Sequence, residues 1–406
     1  MRATLNRKEL TNAVRLASKA VSTRPTLPIL GCVRLETVGT TKLAISTTDL
    51  EVSVRILLDA DVETTGTAIV AAKPLAQSLK GSMPARATVR LAADSEAGNL
   101  MLLSGPVVNR HPLFNPDDFP AINVTLPLQH GTQITSDPAI LEGWLRRVTP
   151  AVSDDDGRPV LQHLAVERHV GPQSTELTAT ATDSYRLHVA TAIETRGTDA
   201  RFLLDPAVLR LAMAARRAND DTMALWALPE EPETTGHPDR WLQTRVTVLV
   251  GTHTWISSVG CTGDFPKWRE FASSPDGMTE FGLVEHAALA AAQLRQVARS
   301  VERHQPVKLS PGVECIRVEA GDPKALAASY VALDWSGVKL GAGGGAEAES
   351  ELAPIEWPIG FNPCFLADAI EAAGDGARFL VTAALKPALL TSEGFTALVM
   401  PTRLPN

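Results

Sequence analysis

The chain has 406 residues, a length for which one hydrophobic core is too small and about three domains are expected. Hydrophobic residues make up 44% of the sequence and charged residues 21%, as in soluble globular proteins, and no apolar run approaches the ~20 residues of a membrane-spanning helix. The net charge of −8 argues against a protein that coats nucleic acid with its whole surface, but it leaves room for a local basic face.

The cysteines predict neither a zinc site nor a disulfide framework, because they are scattered without a C-x-x-C pair. The opening residues, MRATLNRKEL, lack the apolar core of a secretory signal. We therefore expect a cytoplasmic protein with reduced thiols, no metal and no cofactor. The four cysteines are Cys32, Cys261, Cys315 and Cys364.

The first third of the chain, taken as residues 1–127, is predicted to form a helix, strands, a second helix and further strands. From Arg7 onward, Leu10 and Val14 follow helical spacing and form an apolar stripe, while basic side chains fall elsewhere on the helical wheel. Alternating sequence from Cys32 predicts a strand with one solvated face, and the second helical segment starts at Ala71.

The second third, residues 128–273, repeats the first. The stretch RPTLPILG from Arg24 recurs as RPVLQHLA from Arg158, at an offset of 134 positions (158 − 24). The same offset relates TKLAISTTD, which ends at Asp49, to TELTATATD, which ends at Asp183. Solenoid repeats are roughly 20 to 50 residues long, so the repeated object is a whole domain. Its two helical segments begin near Asp137 and Asp205.

The last third, residues 274–406, has the same order of elements. Helical periodicity follows Glu285, alternating sequence follows Cys315, and Asn362 before Pro363 is a helix-start signature. The predicted fold class is therefore α+β, with three repeated domains that each pack two helices on one side of antiparallel sheets.

Five motifs, taken in order, resemble the signatures of one known family, the bacterial DNA polymerase III beta subunit or DNA sliding clamp. They are RPTLPILG, ATDSYRLHVA, the two DFP motifs at Asp118 and Asp264, IGFNPCFLADAI, and VMPTRL near the end. The resemblance covers the whole chain. It implies three clamp-type domains per chain and a head-to-tail homodimer, in which six domains form a ring whose helices line a hole for duplex DNA.

The resemblance also implies a protein without catalysis, a processivity subunit that tethers the replicative polymerase. The implied partners are double-stranded DNA, bound without regard to sequence, and short linear peptide motifs. Such motifs would belong to the DNA polymerase III alpha subunit, to the clamp loader and to repair polymerases.

Positive charge on the predicted helices offers a DNA-facing surface, since phosphate contacts position a protein on DNA without reading its sequence. An ordinary solvated face is the alternative, and the last predicted helix does not fit because it carries Asp368, Glu371 and Asp375. The resemblance places the loop residue Arg24 against DNA, and Arg158 is its repeat counterpart. The helix candidates are Lys8, Arg15, Lys19, Lys73, Lys80, Arg146, Arg147, Arg210, Arg216, Arg217, Arg295 and Arg303.

The resemblance further implies a groove between the second and third domains that accepts a peptide with an apolar anchor. Ser184 stands where the family commonly has glycine, and Phe271 is bulkier than the usual aliphatic residue, so we expect a narrower pocket or a different partner motif. The groove candidates are Leu161, Thr182, Ser184, Arg186, Leu187, Pro266, Phe271, Leu398, Met400, Pro401, Thr402, Arg403 and Leu404.

The dimer interface implied by the resemblance joins an edge strand of the first domain to the end of a helix in the third. The corresponding positions are Asn109 and His111 on the strand and Ala298 and Arg299 on the helix. Because these residues are largely polar, we expect an unusual and weaker interface between the two copies.

Two alternatives stay open. The acidic run SDDDG, from Ser153 to Gly157, could bind a divalent metal as in a nuclease, although it also describes an ordinary exposed loop. The departures at Ser184, Phe271, Asn109 and Arg299 are also compatible with a divergent second clamp that has a specialised partner or a resistance role.

Overall fold

The structure is a computed structural model, and it describes most of the chain. The described residues are 1–21, 27–80, 87–194, 197–216, 222–230, 241, 243–272, 278–300, 305–311, 315–320, 331–340, 358–383 and 385–404. They form two compact units. Unit 1 consists of Met1–Glu142 and Phe202–Thr262, and unit 2 of Gly143–Arg201 and Gly263–Asn406. The predicted middle domain contributes to both units, and the division into three domains stays a prediction.

The described helices and strands alternate as the sequence pattern predicts. The first elements are β1 (Arg2–Asn6), α1 (Arg7–Ala17), β2 (Cys32–Val38), β3 (Lys42–Thr48), β4 (Val52–Thr64), β5 (Thr67–Ala71), α2 (Ala72–Ser78), β6 (Thr88–Asp94), β7 (Asn99–Ser104) and β8 (Val107–Pro112). The middle elements are α3 (Leu126–His130), β9 (Thr132–Thr135), α4 (Pro138–Gly143), β10 (Leu164–Val170), β11 (Thr175–Thr182), β12 (Arg186–Glu194), β13 (Ala200–Leu204), α5 (Pro206–Ala215), β14 (Met223–Pro229), β15 (Thr244–Val250) and β16 (Thr254–Val259). The last elements are β17 (Thr279–Val284), α6 (Ala287–Ser300), β18 (Val307–Pro311), β19 (Cys315–Ala320), β20 (Val331–Leu340), β21 (Ile359–Phe361), α7 (Pro363–Ala373), β22 (Arg378–Val381), β23 (Ala388–Ser392) and β24 (Phe395–Val399). The neighbouring strands along β1–β8 and along β10–β12 and β24 pair in antiparallel fashion.

In the sheet of unit 1, the long strand β4 pairs with three other strands. One half of β4 pairs with β1, while the other half lies between β3 and β16. The strand order is β8-β7-β6-β1-β4-β16-β15-β14-β9, with β2 joining β3 to β5. Along β4, Val52, Val54 and Ile56 are buried and alternate with partly exposed residues, because successive side chains point to opposite faces.

In unit 2 the strands from β10 onward follow the order β10-β11-β12-β24-β23-β22-β17-β20-β19-β18-β21. The pairing of β12 with β24 sets Leu187 opposite Leu398, and the pairing of β23 with β24 sets Leu389 opposite the same residue. Three leucines on neighbouring strands therefore share one face of this sheet.

The sequence repeat is a structural repeat, because β3 and β11 end 134 positions apart, at Thr48 and Thr182. In both copies the next aspartate closes the turn. Asp49 Oδ1 accepts hydrogen bonds from the backbone N of Glu51 and Val52, as Asp183 Oδ1 does from the two equivalent N–H groups. The residue after each aspartate is left-handed, with φ of 85° at Leu50 and 78° at Ser184. Glycine adopts this conformation most readily, so both turns carry a side chain at a position that favours glycine.

The predicted helix near Asp137 differs from the expectation of a continuous helix. It consists of the six-residue α4 and a π-helical turn at Trp144–Val148, followed by a short 3-10 turn. Pro150 has no N–H for the next helical hydrogen bond, and the hydroxyl of Thr149 donates to the carbonyl O of Leu145 at 2.5 Å. The π-helical turn buries Trp144 and Val148 against the sheet. Within the described ranges, no helix is long and apolar enough to span a bilayer.

Candidate functional site

The helix α1 has a buried apolar face and an exposed basic face. Leu10 and Val14 are buried, whereas the basic side chains Lys8, Arg15 and Lys19 are exposed. At 100° per residue Lys8 and Arg15 lie about 20° apart around the helix axis, and Lys19 follows two residues after the helix ends at Ala17. Asn6 caps the helix by accepting hydrogen bonds from the N–H groups of Lys8 and Glu9. In the part of the chain that the structure describes, none of the three cations has an ion pair, so their charges are available to a ligand.

The other candidates for DNA contact in unit 1 are also at the surface. Lys73 on α2, Lys80 just beyond it and Arg210 on α5 are exposed. Arg216 follows the end of α5 and is 3.4 Å from Glu142, a pair whose side chains are 33% and 60% exposed. Such a pair contributes little to stability and competes weakly with a ligand phosphate.

Arg147 is the clearest correction to the predicted DNA-facing set. Its Nε donates to the carbonyl O of Ala372 and its Nη2 to the Oγ of Ser392, both at 2.9 Å. The guanidinium also lies 4.3 Å above the ring of Phe395. Burial, and next the charge of Arg146, lower its pKa. Arg147 therefore anchors the π-helical turn inside unit 2, while its exposed neighbour Arg146 stays a candidate.

Arg295 is neutralised within unit 2. Its Nη2 contacts Asp368 at 2.8 Å and Glu371 at 2.5 Å, and both carboxylates lie on α7. Asp375, just beyond α7, accepts a hydrogen bond from the N–H of Ala287 at the start of α6. The acidic residues that contradicted the basic-helix pattern thus have intramolecular partners, and Arg295 is a weaker DNA candidate than the sequence predicts.

Arg158 and the acidic run beside it form one hydrogen-bonded loop. Arg158 Nε contacts Asp155 Oδ2 at 2.8 Å, and its Nη1 donates to the Oγ of Ser184 at 2.7 Å. The N–H of Gly157, and next Arg158, hold the pKa of Asp155 below its ordinary value. Asp156 accepts from the amide of Gln162. These carboxylates are used to fix the loop, and among the described residues no cluster of His, Cys, Asp or Glu is arranged to hold a metal.

Three predicted DNA-facing residues, Arg24, Arg217 and Arg303, lie outside the described residues.

The predicted peptide groove has an apolar floor in unit 2. Leu187 and Leu398 are buried together with Val189, Leu380 and Leu389 in one cluster. Partly buried side chains from the segment after β16 pack against this cluster; they are Trp268, Ala272 and Met278. Trp268 is itself fixed, since its Nε1 donates to Glu167 at 3.2 Å. Strands far apart in sequence thus bring Leu187 and Leu398 together.

The polar residues predicted to line the groove are engaged within unit 2. The hydroxyl of Thr182 donates to the carbonyl O of Arg186 at 2.6 Å and accepts from the N–H of Ser184. Arg186 contacts Asp183 at 2.9 Å and Asp368 at 2.6 Å, and its guanidinium lies 4.3 Å above the ring of Phe365. Thr182 and Arg186 therefore shape the turn beside the floor.

The last residues run past the end of β24 and remain partly accessible. The N–H of Met400 donates to the carbonyl O of Tyr185 at 2.9 Å, and that of Thr402 to the O of Gly360 at 2.8 Å. Gly360 is required there, because a Cβ would clash with the carbonyl O of Thr402 and the side chain of Leu404. Met400 is 39% exposed. Thr402 and Arg403 are also exposed, whereas Pro401 and Leu404 are half-buried.

The aromatic residue that packs on the floor is Trp268, which the sequence analysis did not select. Phe271 is 59% exposed, and Trp268, three residues earlier, packs against the leucine cluster instead. The 3-10 turn Trp268–Glu270 sets Ala272 beside Trp268, because the N–H of Ala272 donates to the carbonyl O of Trp268. Pro266 is exposed and Leu161 is buried. The tryptophan after the second DFP motif was the signal that could have identified this contact.

The edge strand β8 also corrects one prediction. His111 is buried within unit 1, where burial lowers its pKa, so its side chain is not available to a second copy. Val107 and Val108 on the same strand are 49% and 47% exposed, and Asn109 is half-buried. On α6, Arg299 is exposed and Ala298 half-buried. Since β8 ends the strand order of unit 1, one row of its backbone groups is open to pairing.

Comparisons with known proteins agree on one family. The family model for the DNA polymerase III beta subunit, N-terminal domain, matches residues 1–123. The beta sliding clamp of Micrococcus luteus is 29% identical over 318 residues, which cover 76% of this chain and 91% of that protein. The beta sliding clamp of Streptomyces coelicolor is 25% identical over 419 residues and covers both chains completely. The crystal structure of the DNA polymerase sliding clamp from Caulobacter crescentus has the same fold, with a TM-score of 0.79, 21% identity and complete coverage of both chains.

Proposed function

We infer that this chain, which belongs to the family of bacterial DNA polymerase III beta subunits, is a DNA sliding clamp. It encircles duplex DNA, tethers the replicative polymerase for processive synthesis and has no catalytic activity of its own. The observation that carries this conclusion is that the likeness to sliding clamps extends over the whole chain, through both copies of the repeated Thr-Asp turn. We place the protein in the cytoplasm, where replication takes place in bacteria.

The DNA-facing surface proposed for the clamp consists of cations that have no carboxylate partner among the described residues. A clamp must slide, so it needs attraction to phosphates without base readout, and this attraction is screened over about 10 Å at 0.1 M salt. Residues with carboxylate partners, such as Arg295 and Arg158, contribute less because DNA must compete with those carboxylates. The primary set is Lys8, Arg15, Lys19, Lys73, Lys80, Arg146 and Arg210.

The leucine cluster of unit 2 is proposed as the docking site for polymerase and clamp-loader peptides. A peptide leucine or phenylalanine would pack on Leu187 and Leu398 beside Trp268, with Met400 closing one side. Repair polymerases would use the same groove. Tyr185 is 61% exposed next to Met400 and offers an aromatic edge to such a peptide.

A processivity assay tests both the clamp function and the proposed peptide-docking site. Primer extension with the cognate polymerase and clamp loader should give longer products when this protein is added, and Met400→Ala should reduce that effect by weakening peptide binding. Ile193→Ala is a matched control, since Ile193 is 65% exposed on β12 but six positions, or roughly 20 Å, from Leu187. Unchanged product lengths with wild-type protein contradict the function, and equal effects of the two variants contradict the groove.

A homodimer is proposed to close the ring. The edge strand β8 of one copy would meet the helix end near Arg299 of the second copy. The exposed pair Val107 and Val108, rather than His111, would supply the apolar contact of this interface, with Asn109 and Ala298 beside it.

A specialised second clamp is the alternative that the groove favours. Ser184 is exposed, adopts a left-handed conformation and binds Arg158, so the turn beside the floor carries a side chain where the family commonly has none. Partner preference would then differ from that of a housekeeping clamp. Growth of a strain depleted of its own clamp and supplied with this gene would exclude the alternative, whereas failure to grow despite normal expression would support it.

A further inference from the structure

A cavity of about 190 Å³ lies in unit 1 where α1 and α5 meet. Its floor is apolar, formed by Leu16 from α1, Ile56 from β4 and Ala215 from α5. Its rim is basic, because Arg15 and Lys19 border it from one side and Arg216 from the other. The amide of Asn12 adds a neutral hydrogen-bonding group to the rim. An apolar floor beneath three cations is a chemical combination absent from a merely solvated helix face.

The positive charge at the rim of the cavity is not neutralised by acidic residues in its described lining. No acidic side chain belongs to its lining, taken over the described residues. Arg216 reaches Glu142 with one nitrogen at 3.4 Å, which leaves its other N–H groups available. Arg15 is in the last turn of α1 and Arg216 caps α5, so two helix C-termini are nearby. Those termini together carry about one negative charge, against three positive charges on the rim.

The size of the cavity limits the kinds of ligand that it can hold. Small-molecule pockets usually measure about 300–1,000 Å³, so this cavity is too small for a complete nucleotide. A phosphate group with the adjoining sugar carbons suits it, since the oxygens would meet the cations and the carbons would cover the alanine and leucine floor.

We propose that this cavity seats one phosphate group, in van der Waals contact through its attached sugar with the floor. The proposal rests on the proposed function in one respect, because the backbone of duplex DNA is the phosphate source that a clamp meets; free nucleotides are the other source. A seated phosphate gives the clamp one localised contact with DNA in unit 1, in addition to the diffuse attraction of its exposed cations, and this contact passes from one phosphate to the next as the clamp slides.

A variant that fills the cavity while preserving every charge distinguishes a seated phosphate from diffuse attraction. Ala214 lines the cavity, is exposed and lies on α5, so Ala214→Leu adds volume with a good helix former. Ala97→Leu is the matched control, since Ala97 is exposed in the hairpin between β6 and β7. Equal melting temperatures for wild type and both variants show that the folds are intact.

The first measurement is binding to a short fluorescent duplex, followed by anisotropy over a salt series. Ala214→Leu should weaken binding about tenfold, the equivalent of one charge-assisted hydrogen bond, while Ala97→Leu should not. Arg15→Gln should weaken binding and lower the slope of log K against log salt by about one unit. Arg210→Gln changes an exposed residue of α5 that does not line the cavity, so it should lower the slope equally and weaken binding less.

The second measurement titrates deoxynucleoside monophosphate and inorganic phosphate into the same proteins by calorimetry. If Ala214→Leu weakens only the binding of duplex DNA, the cavity binds a phosphate of the DNA backbone. If it weakens only the binding of the monophosphate, the cavity binds a free nucleotide. If Ala214→Leu changes neither, the proposal is overturned. If wild-type protein does not bind duplex DNA at all, the proposed function fails, while the monophosphate titration still tests the cavity.

Discussion

His188 is fully buried in unit 2, where it holds the π-helical turn to β12. Its Nδ1 lies 2.7 Å from the carbonyl O of Arg147, and its ring meets Phe395 edge-on at 5.6 Å. Burial lowers the pKa of His188 from 6.5 to about 4, so the side chain is neutral at physiological pH. Its Nδ1–H then donates a hydrogen bond to the carbonyl O of Arg147.

This burial predicts acid sensitivity. The unfolded chain binds a proton on His188 near pH 6.5 and the folded chain only near pH 4, so stability is lost as the pH falls through that window. We expect the free energy of unfolding to drop by about 2 kcal/mol between pH 7 and pH 5 from this residue alone. Urea titrations at both pH values should show the drop in wild type and its loss in His188→Asn, whose amide can still donate to Arg147. The exposed His169 gives the control His169→Asn, and an unchanged pH dependence in both variants would disprove this role.

Leu50 carries backbone strain with a side chain that is 60% exposed. A left-handed conformation destabilises a non-glycine residue by about 1–2 kcal/mol. Glycine removes this strain, but it also raises the conformational entropy of the unfolded chain, which offsets part of the gain in stability. We therefore expect Leu50→Gly to raise the free energy of unfolding by about 0.5–1 kcal/mol. Leu50→Ala keeps the strain and should leave stability unchanged. A destabilised Leu50→Gly variant in urea titrations would contradict this explanation.

Helix α7 carries acidic residues where the pattern of the other helices predicts basic ones, and these acidic residues have partners within unit 2. Asp368 lies between Arg186, at the turn beside the groove, and Arg295 on α6. The side chain of Arg186 is only 10% exposed, so removing one of its two carboxylate partners leaves a largely buried cation that is paired only with Asp183.

Asp368→Asn should therefore destabilise unit 2 by about 1–3 kcal/mol, less than a fully buried pair because the Asp368 side chain is 26% exposed. Glu371→Gln is the matched control on the same helix, since Glu371 is 50% exposed and should contribute less than about 1 kcal/mol. Denaturant titrations would measure both, and a double variant with Arg186→Gln should be less destabilised than the sum of the single variants. Strict additivity would argue against the proposed contact.

The sequence predicts elements and local turns better than it predicts long-range partners. Periodicity identified α1, α5 and α7, and the 134-residue offset identified both copies of the Thr-Asp turn, because these depend on nearby residues. It could not show that Arg147 stacks on Phe395 or that Trp268 replaces Phe271 on the leucine cluster. Those contacts join segments more than 80 residues apart, and only the strand register brings them together.

At the scale of the whole molecule, the proposed ring depends on pairing between copies at β8. Analytical ultracentrifugation over a dilution series should show a dimer at micromolar concentration, and Val108→Asp should shift it to a monomer by placing a charge in the apolar contact. Val38→Asp is the control, since Val38 is 38% exposed at the end of β2. A monomeric wild-type protein would rule out the closed ring.

Topological retention on DNA distinguishes a closed ring from a protein that is held on DNA by electrostatic attraction alone. The protein would be loaded on nicked circular DNA with its clamp loader, separated from free protein by gel filtration, and the circle then cut once. A closed ring should stay with the circle at a salt concentration that abolishes simple electrostatic binding, and it should dissociate once the DNA is linear. Equal retention on circular and linear DNA, or no retention on either, would contradict the closed ring.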